Sequence, residues 1–178
     1  MNLLQRKMQR KDIATLMDWF ATEREGLLWA GAAMPWPLQR ATFIGLIKAH
    51  TGTHPPRELW CLDDAEGRLV GHYQLRCNYR LRTLGLGRVA IAPDRRGQGL
   101  GQALMDLAID YAFSRAWVHR LELNVYNVNT RAFRTYRKAG FVLEGTRRQT
   151  TPIGHELWDT YMMSLLRPDY ARKLDKRT

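Results

Sequence analysis

The chain has 178 residues, 45% of them hydrophobic, and carries 28 lysines and arginines against 17 aspartates and glutamates, a net charge of +11. This length supports a core without disulfides or metal, and the composition excludes a disordered or fibrous chain. The charge suits an anionic partner (nucleic acid, a phosphorylated cofactor or an acidic substrate) and equally a solvated basic surface.

In chain order, "MNLLQRKMQRKD" lacks the apolar core of a secretory signal. The expectation is a cytoplasmic protein with no membrane association, one domain over residues 1–178. Asp12 is placed to cap a first helix carrying Ile13, Leu16, Met17 and Phe20 at helical spacing. "EGLLWAGAAMPWPLQ" is aromatic and broken by Pro35 and Pro37, so it reads as a loop, and Trp29, Trp36 and the two prolines are candidates to line an acceptor pocket. It is too short to span a bilayer. A helix is expected over residues 38–49. His50 and His54 are four apart in "HTGTH", but Gly52 argues against a helix there and no third ligand lies close, so no metal is expected.

"ELWCLDDAEGRLVGHYQLRCNY" reads as two strands around a turn, with Cys61 and Cys77 too far out of register for a disulfide. "TLGLGRVAIAP" is a further strand, stopped by Pro93. An amphipathic helix follows, with Leu100, Ala103, Leu104, Leu107, Ala108 and Tyr111 against Gln102, Asp106 and Asp110. "VHRLELNVY" alternates, with Leu121, Leu123 and Val125 on one face. Asn129 or Thr130 caps the next helix and Gly140 ends it. "FVLEG" and "LWDTYMMSLL" are late strands, and residues 167–178 are expected to fray. Alternation in the middle and hairpins at both ends predict an α/β (mixed α+β) fold: a central, mixed, mostly antiparallel twisted sheet with helices on both faces.

The densest signal is "APDRRGQGLGQAL", three glycines between a strand and a helix. A helix N-terminus offers unpaired N–H groups and partial positive charge, and glycines let an anion reach the backbone. Arg95 and Arg96 add charge. The stretch lacks the Lys-Ser/Thr of a P-loop and does not supply GxGxxG. "GLGRVA" at 85–90 opens no helix. The alternative to a phosphate cradle is a glycine turn without a ligand.

"RRGQGLG" resembles the R/Q-x-x-G-x-G/A signature of the GCN5-related N-acetyltransferases (GNAT). The likeness runs over residues 83–145, through "LELNVYNVNTRAFRTYRKAGF", and Asp159 and Met162 look like the family's late strand. The N-terminal third resembles, more weakly, the ribosomal-protein N-terminal acetyltransferases. The resemblance implies a GNAT fold and acetyl-CoA as donor. Its pyrophosphate would lie on the amides of Gly97, Gln98, Gly99, Leu100, Gly101 and Gln102 beside Arg96. Its pantetheine would pair with the backbone of Val89, Ala90 and Ile91, and Asn129 would bind the cofactor. An amide near Val89 would stabilise the thioester oxyanion. Tyr136, two helical turns from Asn129, would protonate the departing thiolate, the alternative being a packed core tyrosine. Some relatives carry Glu at the position of Asn124. An amide cannot accept a proton, so Glu122, on the same strand face, becomes the base candidate, directly or through water. Glu23, Glu25 and Glu156 have no spacing to support them.

The implied function is transfer of acetyl to a primary amine by direct attack, with a peptide N-terminus as first acceptor and a small-molecule amine as second. Two alternatives stay open: a non-catalytic nucleic-acid-binding module, supported only by charge, and a cofactor-binding regulator that lost its base. A homodimer is compatible with the sequence, which leaves oligomeric state open.

Overall fold

The computed structural model describes residues 3–49 and 52–175, so His50 lies outside the described residues. The chain forms two compact units, residues 1–77 with 86–104, and residues 78–85 with 105–178.

In the first unit, β1 (Leu4–Lys7), β2 (Arg57–Asp63), β3 (Leu69–Asn78) and the later part of β4 (Thr83–Ile91) follow one another in strand order. β1 pairs antiparallel with β2, and β2 with β3 in a register that sets Cys61 opposite His72 and Leu59 opposite Gln74. Six of the seven residues of β2 are buried, because both faces are covered. On one face Leu59 and Cys61 join a core built from α1 (Asp12–Met17), α2 (Glu23–Ala30) and α3 (Arg40–Lys48), with Ile13, Leu16, Trp29 and Phe43 at its centre. On the other, Gly71 admits the start of α4 (Leu100–Phe113): a Cβ there would stand 3.0 Å from Leu104 and 3.3 Å from Leu62. Cys61 and Cys77 are both free, and the Cys77 amide bonds Pro56 rather than approaching Cys61's strand position.

Two local expectations are corrected. Asp12 does not cap α1. It is the first helical residue, and its carboxylate accepts from the Gln9 amide at 2.7 Å and from the Arg6 guanidinium at 2.7 and 2.9 Å. The aromatic segment read as a loop contains α2. Thr22 Oγ1 accepts from the Glu25 amide at 3.3 Å, while Glu25 Oε2 accepts from the Ala21 amide at 2.9 Å. This reciprocal capping starts a helix that the tryptophans and prolines hide from a composition-based reading. Gly26 then gives Trp36 room to pack: a Cβ would lie 2.6 Å from its ring.

In the second unit, β5 (Arg120–Tyr126), β7 (Glu156–Leu166) and β6 (Val142–Ile153) lie in the order β5-β7-β6, all antiparallel. Leu121, Leu123 and Val125 are buried, as the alternation predicts. α5 (Thr130–Ala139) is capped by Asn129, whose Oδ1 accepts from Ala132 N at 3.2 Å, and ends at Gly140 with φ 106°. That left-handed angle suits glycine. Residues 167–175, expected to fray, form α6 (Arg167–Asp175). Arg167 donates to the carbonyls of Phe113, Arg115 and Val118, which satisfies oxygens at and beyond the end of α4. Lys173 reaches Asp106 at 2.9 Å and the Ala139 carbonyl at 3.1 Å. A charged tail can order when its charges find such partners.

The Thr22 cap gives a measurable outcome. Thr22→Ala should cost about 1 kcal/mol and lower Tm by roughly 2–4 °C for a chain of this size. Thr22→Asp should keep most of it, read from thermal melts side by side.

Candidate functional site

The glycine segment leaves β4 through Ala92, whose amide bonds Val70 O at 3.0 Å, and a short 3₁₀ turn at Pro93–Arg95. Gly97 and Gly99 take φ of 81° and 82°, angles that L side chains rarely adopt. Cβ atoms built at Gly97, Gly99 and Gly101 would meet nothing within 4 Å, so open space lies beside the backbone at all three. Amides at the head of α4 have no carbonyl one turn earlier to bond. Gln102 is the exception, since its amide bonds Gly99 O at 3.0 Å. The geometry fits an anion set on backbone N–H groups from Gly97 to Gly101, ahead of the helix dipole.

The two arginines are less free than the sequence suggests. Arg95 pairs with Asp64 at 2.8 Å. Arg96 donates to the carbonyls of Ile91 at 3.2 Å and Trp19 at 3.3 Å, and lies 3.9 Å from Glu25. Arg96 therefore fixes the turn to β4 and to the end of α1. Just upstream, Arg88 holds φ 50° inside β4, and its carbonyl accepts from Trp29 Nε1 at 2.8 Å. A left-handed residue in a strand kinks the ladder and re-aims the amide that follows it, here Val89. Ala90 is buried, while Val89 and Ile91 are half-buried.

Trp29, weighed as a pocket residue, belongs to the core. It stacks on Phe20 with ring centroids 4.4 Å apart and on Phe43 at 6.1 Å. Trp36 is half-buried and packs against the same core.

The second unit holds the acid and base candidates. Tyr136 lies edge-on to Phe141, ring centroids 6.2 Å apart, and burial pushes its phenol up to about 12. It is protonated at neutral pH. Glu122 is held by Arg120 at 3.0 Å. The Arg120 guanidinium also pairs with Glu144, and that pairing, with the Ser164 hydroxyl, lowers Glu144 to about 2. Glu122 thus stands in an ion-paired row on the sheet surface. Glu156 is occupied by Trp158 Nε1 at 2.7 Å. Among the described residues, no group of three or more His, Cys, Asp or Glu could hold a metal ion, and no helix is long and apolar enough to cross a membrane.

A cluster that the sequence reading missed lies on the helix-covered face of the first unit. Arg57 Nη1 and Arg88 Nη1 both donate to Gln74 Oε1, at 3.3 and 3.1 Å, and Gln74 Nε2 lies 3.2 Å from His72 Nε2. His72 is fully buried, and burial, then Arg88, lower it to about 3. The signal was available in "GHYQLRC": His72 and Gln74 alternate onto one face of a strand whose neighbours on both sides are apolar or aromatic.

A glycine turn heading a helix beyond a kinked strand, within a mixed α+β fold of seven mostly antiparallel strands, offers open backbone suited to a phosphorylated ligand. A family model described as "Acetyltransferase (GNAT) family" matches residues 13–141, and the chain belongs to that family of enzymes, which use acetyl-CoA. It is 30% identical over 113 residues to the spermidine N(1)-acetyltransferase of Vibrio cholerae serotype O1, covering 63% of this chain and 65% of that protein. It is 32% identical over 106 residues to the L-amino acid N-acetyltransferase AaaT of Escherichia coli K12, covering 58% and 64%. The chain thus spans slightly less than two thirds of the length of these curated relatives. Its fold is similar to that of the Vibrio cholerae spermidine N-acetyltransferase solved in complex with CoA and spermine, with TM-score 0.82 and 24% identity over 95% of this chain and 98% of that one. These named relatives act on small amines, so the expected likeness to ribosomal-protein N-terminal acetyltransferases gives way to the broader family.

The raised Tyr136 phenol makes a pH prediction. The folded state keeps it neutral to about 12, while the unfolded chain ionises near 10. Its contribution to stability is complete below about 10 and is lost as pH rises from there through about 12. Ultraviolet difference titration should show one tyrosine ionising late, and Tyr136→Phe should remove both that step and part of the alkaline loss of stability.

Proposed function

We propose that the chain is an acetyl-CoA-dependent N-acetyltransferase of small-molecule primary amines. The observation that carries this reading is the open backbone at Gly97, Gly99 and Gly101 at the head of α4, in a chain of the GNAT family. Acetyl-CoA supplies the activated acetyl group. Amides from Gly97 to Gly101 bind its pyrophosphate, and the backbone of Val89, Ala90 and Ile91 lies along its pantetheine. The Val89 amide, aimed by the kink at Arg88, donates to the carbonyl oxygen as negative charge develops there. Asn129 contributes to the cofactor site from the cap of α5. The names of the relatives support a small amine over a protein N-terminus as acceptor.

Tyr136 gives its proton to the sulfur as the carbon–sulfur bond breaks. A phenol near 12 holds its proton more tightly than a thiol in water, near about 8.5. Dry surroundings raise a thiolate's basicity for the same reason they raise the phenol's, so the transfer is matched inside the site rather than in solvent. Glu122 takes the proton that the amine loses when the carbon–nitrogen bond forms, directly or through one water, with Arg120 holding its carboxylate in one orientation.

Acetyl-CoA at about 100 times its Kd should stabilise the fold by roughly 2.7 kcal/mol, on the order of 5–10 °C in Tm. ATP and NAD should shift it much less. Gly99→Glu should abolish the shift. Gly99→Ala, which carries the same backbone cost of about 1–2 kcal/mol without the charge, should retain it. Equal shifts from all three ligands would reduce the cradle to a generic anion site.

Tyr136→Phe should lower kcat by about 10² to 10⁴ at saturating acetyl-CoA, with cofactor affinity unchanged. Full activity in a stable Phe variant would remove Tyr136 as the acid. Glu122→Gln should lose rate mainly at low pH, where less of the amine is neutral. Wild-type behaviour at every pH would place the base elsewhere.

A further inference from the structure

The peptide group between Arg88 and Val89 is gripped by a side chain from outside the sheet. Trp29 of α2 donates its indole N–H to the Arg88 carbonyl at 2.8 Å. This peptide bond is trans, as are all the described bonds but Trp36–Pro37. A trans peptide is planar, so its C=O and N–H point to opposite sides of the chain. Whatever fixes the Arg88 oxygen therefore fixes the Val89 hydrogen as well, aimed away from the indole.

The indole cannot turn freely. Phe20 stacks on it with ring centroids 4.4 Å apart and planes 20° off parallel, Phe43 stacks at 6.1 Å and 14°, and His72 stands against it at 6.0 Å and 60°. Trp29 is 8% exposed and Phe43 fully buried. Rotation of the ring would break these stacks, so packing of the core sets the direction of its N–H.

The backbone needs that hold. Arg88 keeps φ at 50°, an angle unfavourable for a residue with a side chain. Relaxing φ to the extended range would rotate the whole peptide group and carry both its oxygen and its N–H off their present lines. The indole bond offsets the cost of the left-handed angle. It also polarises the peptide, since a carbonyl that accepts a hydrogen bond makes its own N–H a stronger donor. A phenylalanine would fill the stack but could do neither.

We infer that Trp29 is a positioning residue for acetyl transfer: its indole N–H, held by the aromatic stack, fixes the Arg88–Val89 peptide plane and so aims the Val89 amide at the thioester oxygen, on the transferase reading above, in which that amide meets the developing negative charge. Its effect passes through the backbone and not through contact with the acetyl group.

Replacing Trp29 with 3-benzothienylalanine by codon suppression keeps the bicyclic ring and its stacking and exchanges only the N–H for sulfur. Coenzyme A release is then measured with a panel of small primary amines, from alkyl diamines to free L-amino acids. In this variant kcat should fall by on the order of 10-fold, less than the roughly 10²–10³ for deleting an oxyanion donor outright, because the amide is loosened and not lost. KM for acetyl-CoA and the Tm shift it produces should stay at wild-type values. Trp29→Phe should lose at least as much kcat, with a lower Tm. Ile13→Val, a fully buried position in the same core, should lower Tm and retain kcat. Wild-type kcat in the benzothienyl variant would overturn the inference. So would an equal loss of kcat in Ile13→Val, which would make activity follow core stability alone.

A spectroscopic readout needs no turnover. The chain has six valines, so nitrogen-15 valine labelling gives a sparse amide spectrum, in which Val89 is the peak that Val89→Ile removes. In the wild type, acetyl-CoA should move that peak further downfield than coenzyme A does, because only the acetyl form brings a carbonyl oxygen. The benzothienyl variant should lose the difference. One peak position with both ligands in the wild type, or an undiminished difference in the variant, would overturn the inference and leave the transferase standing. A wild type with neither a Tm shift from acetyl-CoA nor turnover of any amine would remove the transferase reading, and the role of Trp29 with it.

Discussion

One guanidinium, that of Arg6 on β1, holds two carboxylates that the fold buries: Asp12 at the head of α1, 4% exposed, and Asp63 at the end of β2, 7% exposed. Two buried acids side by side repel and are costly to desolvate, and the Arg6 guanidinium between them offsets both costs. Burial raises the Asp12 carboxyl, but Arg6 and the Gln9 amide together leave it below its usual range. The same carboxylate accepts the Cys61 thiol at 3.8 Å, and burial, then Asp12, keep that thiol protonated. Cys61 in turn lies 3.9 Å from His72 Nδ1, and His72 touches Gln74. A row of polar groups therefore crosses the apolar core from Arg6 to Arg88, each satisfied by the next.

That row holds the Gln74 amide in one orientation. The arginines force the Gln74 oxygen toward themselves, which turns its NH₂ toward His72. His72 must then accept at Nε2, so its proton sits on Nδ1. Trp29 touches both ends of this arrangement, with its ring 6.0 Å from His72 and its N–H on the Arg88 carbonyl. The backbone kink at Arg88 and the side chain it presents are fixed by one tryptophan that α2 supplies. An element first read as a loop thus positions a residue of a strand.

The parts of the fold governed by local rules were legible in the sequence. Leu121, Leu123 and Val125 alternate and are buried, Asn129 caps and Gly140 terminates α5, and the glycines sit between β4 and α4 where the pattern set them. Reading failed for two different reasons. α2 starts on a local cap, Thr22 with Glu25, that a background of proline and tryptophan hides, whereas α6 depends on long-range partners, with Arg167 and Lys173 reaching carbonyls and a carboxylate far back in the chain. Arg95 and Arg96 looked like free charges because their partners, Asp64 and the carbonyls of Ile91 and Trp19, are set by tertiary structure. Arg57 and Arg88 are 31 residues apart in the numbering and meet only because β2 and β4 flank β3. No spacing rule connects them.

The buried imidazole of His72 gives the first unit a one-sided tolerance of acid and base. The folded chain keeps His72 neutral down to about 3, while an unfolded chain protonates it near 6.5. Its depressed affinity for protons means that stability is complete above about 6.5 and drains away as pH falls toward 3. A proton forced onto Nε2 would also expel the Gln74 amide from its place and add a third positive charge beside the two arginines. Mild acid therefore acts, through this imidazole, on the unit that carries the glycine cradle. The core's own chemistry ties the stable range of this unit to neutral surroundings.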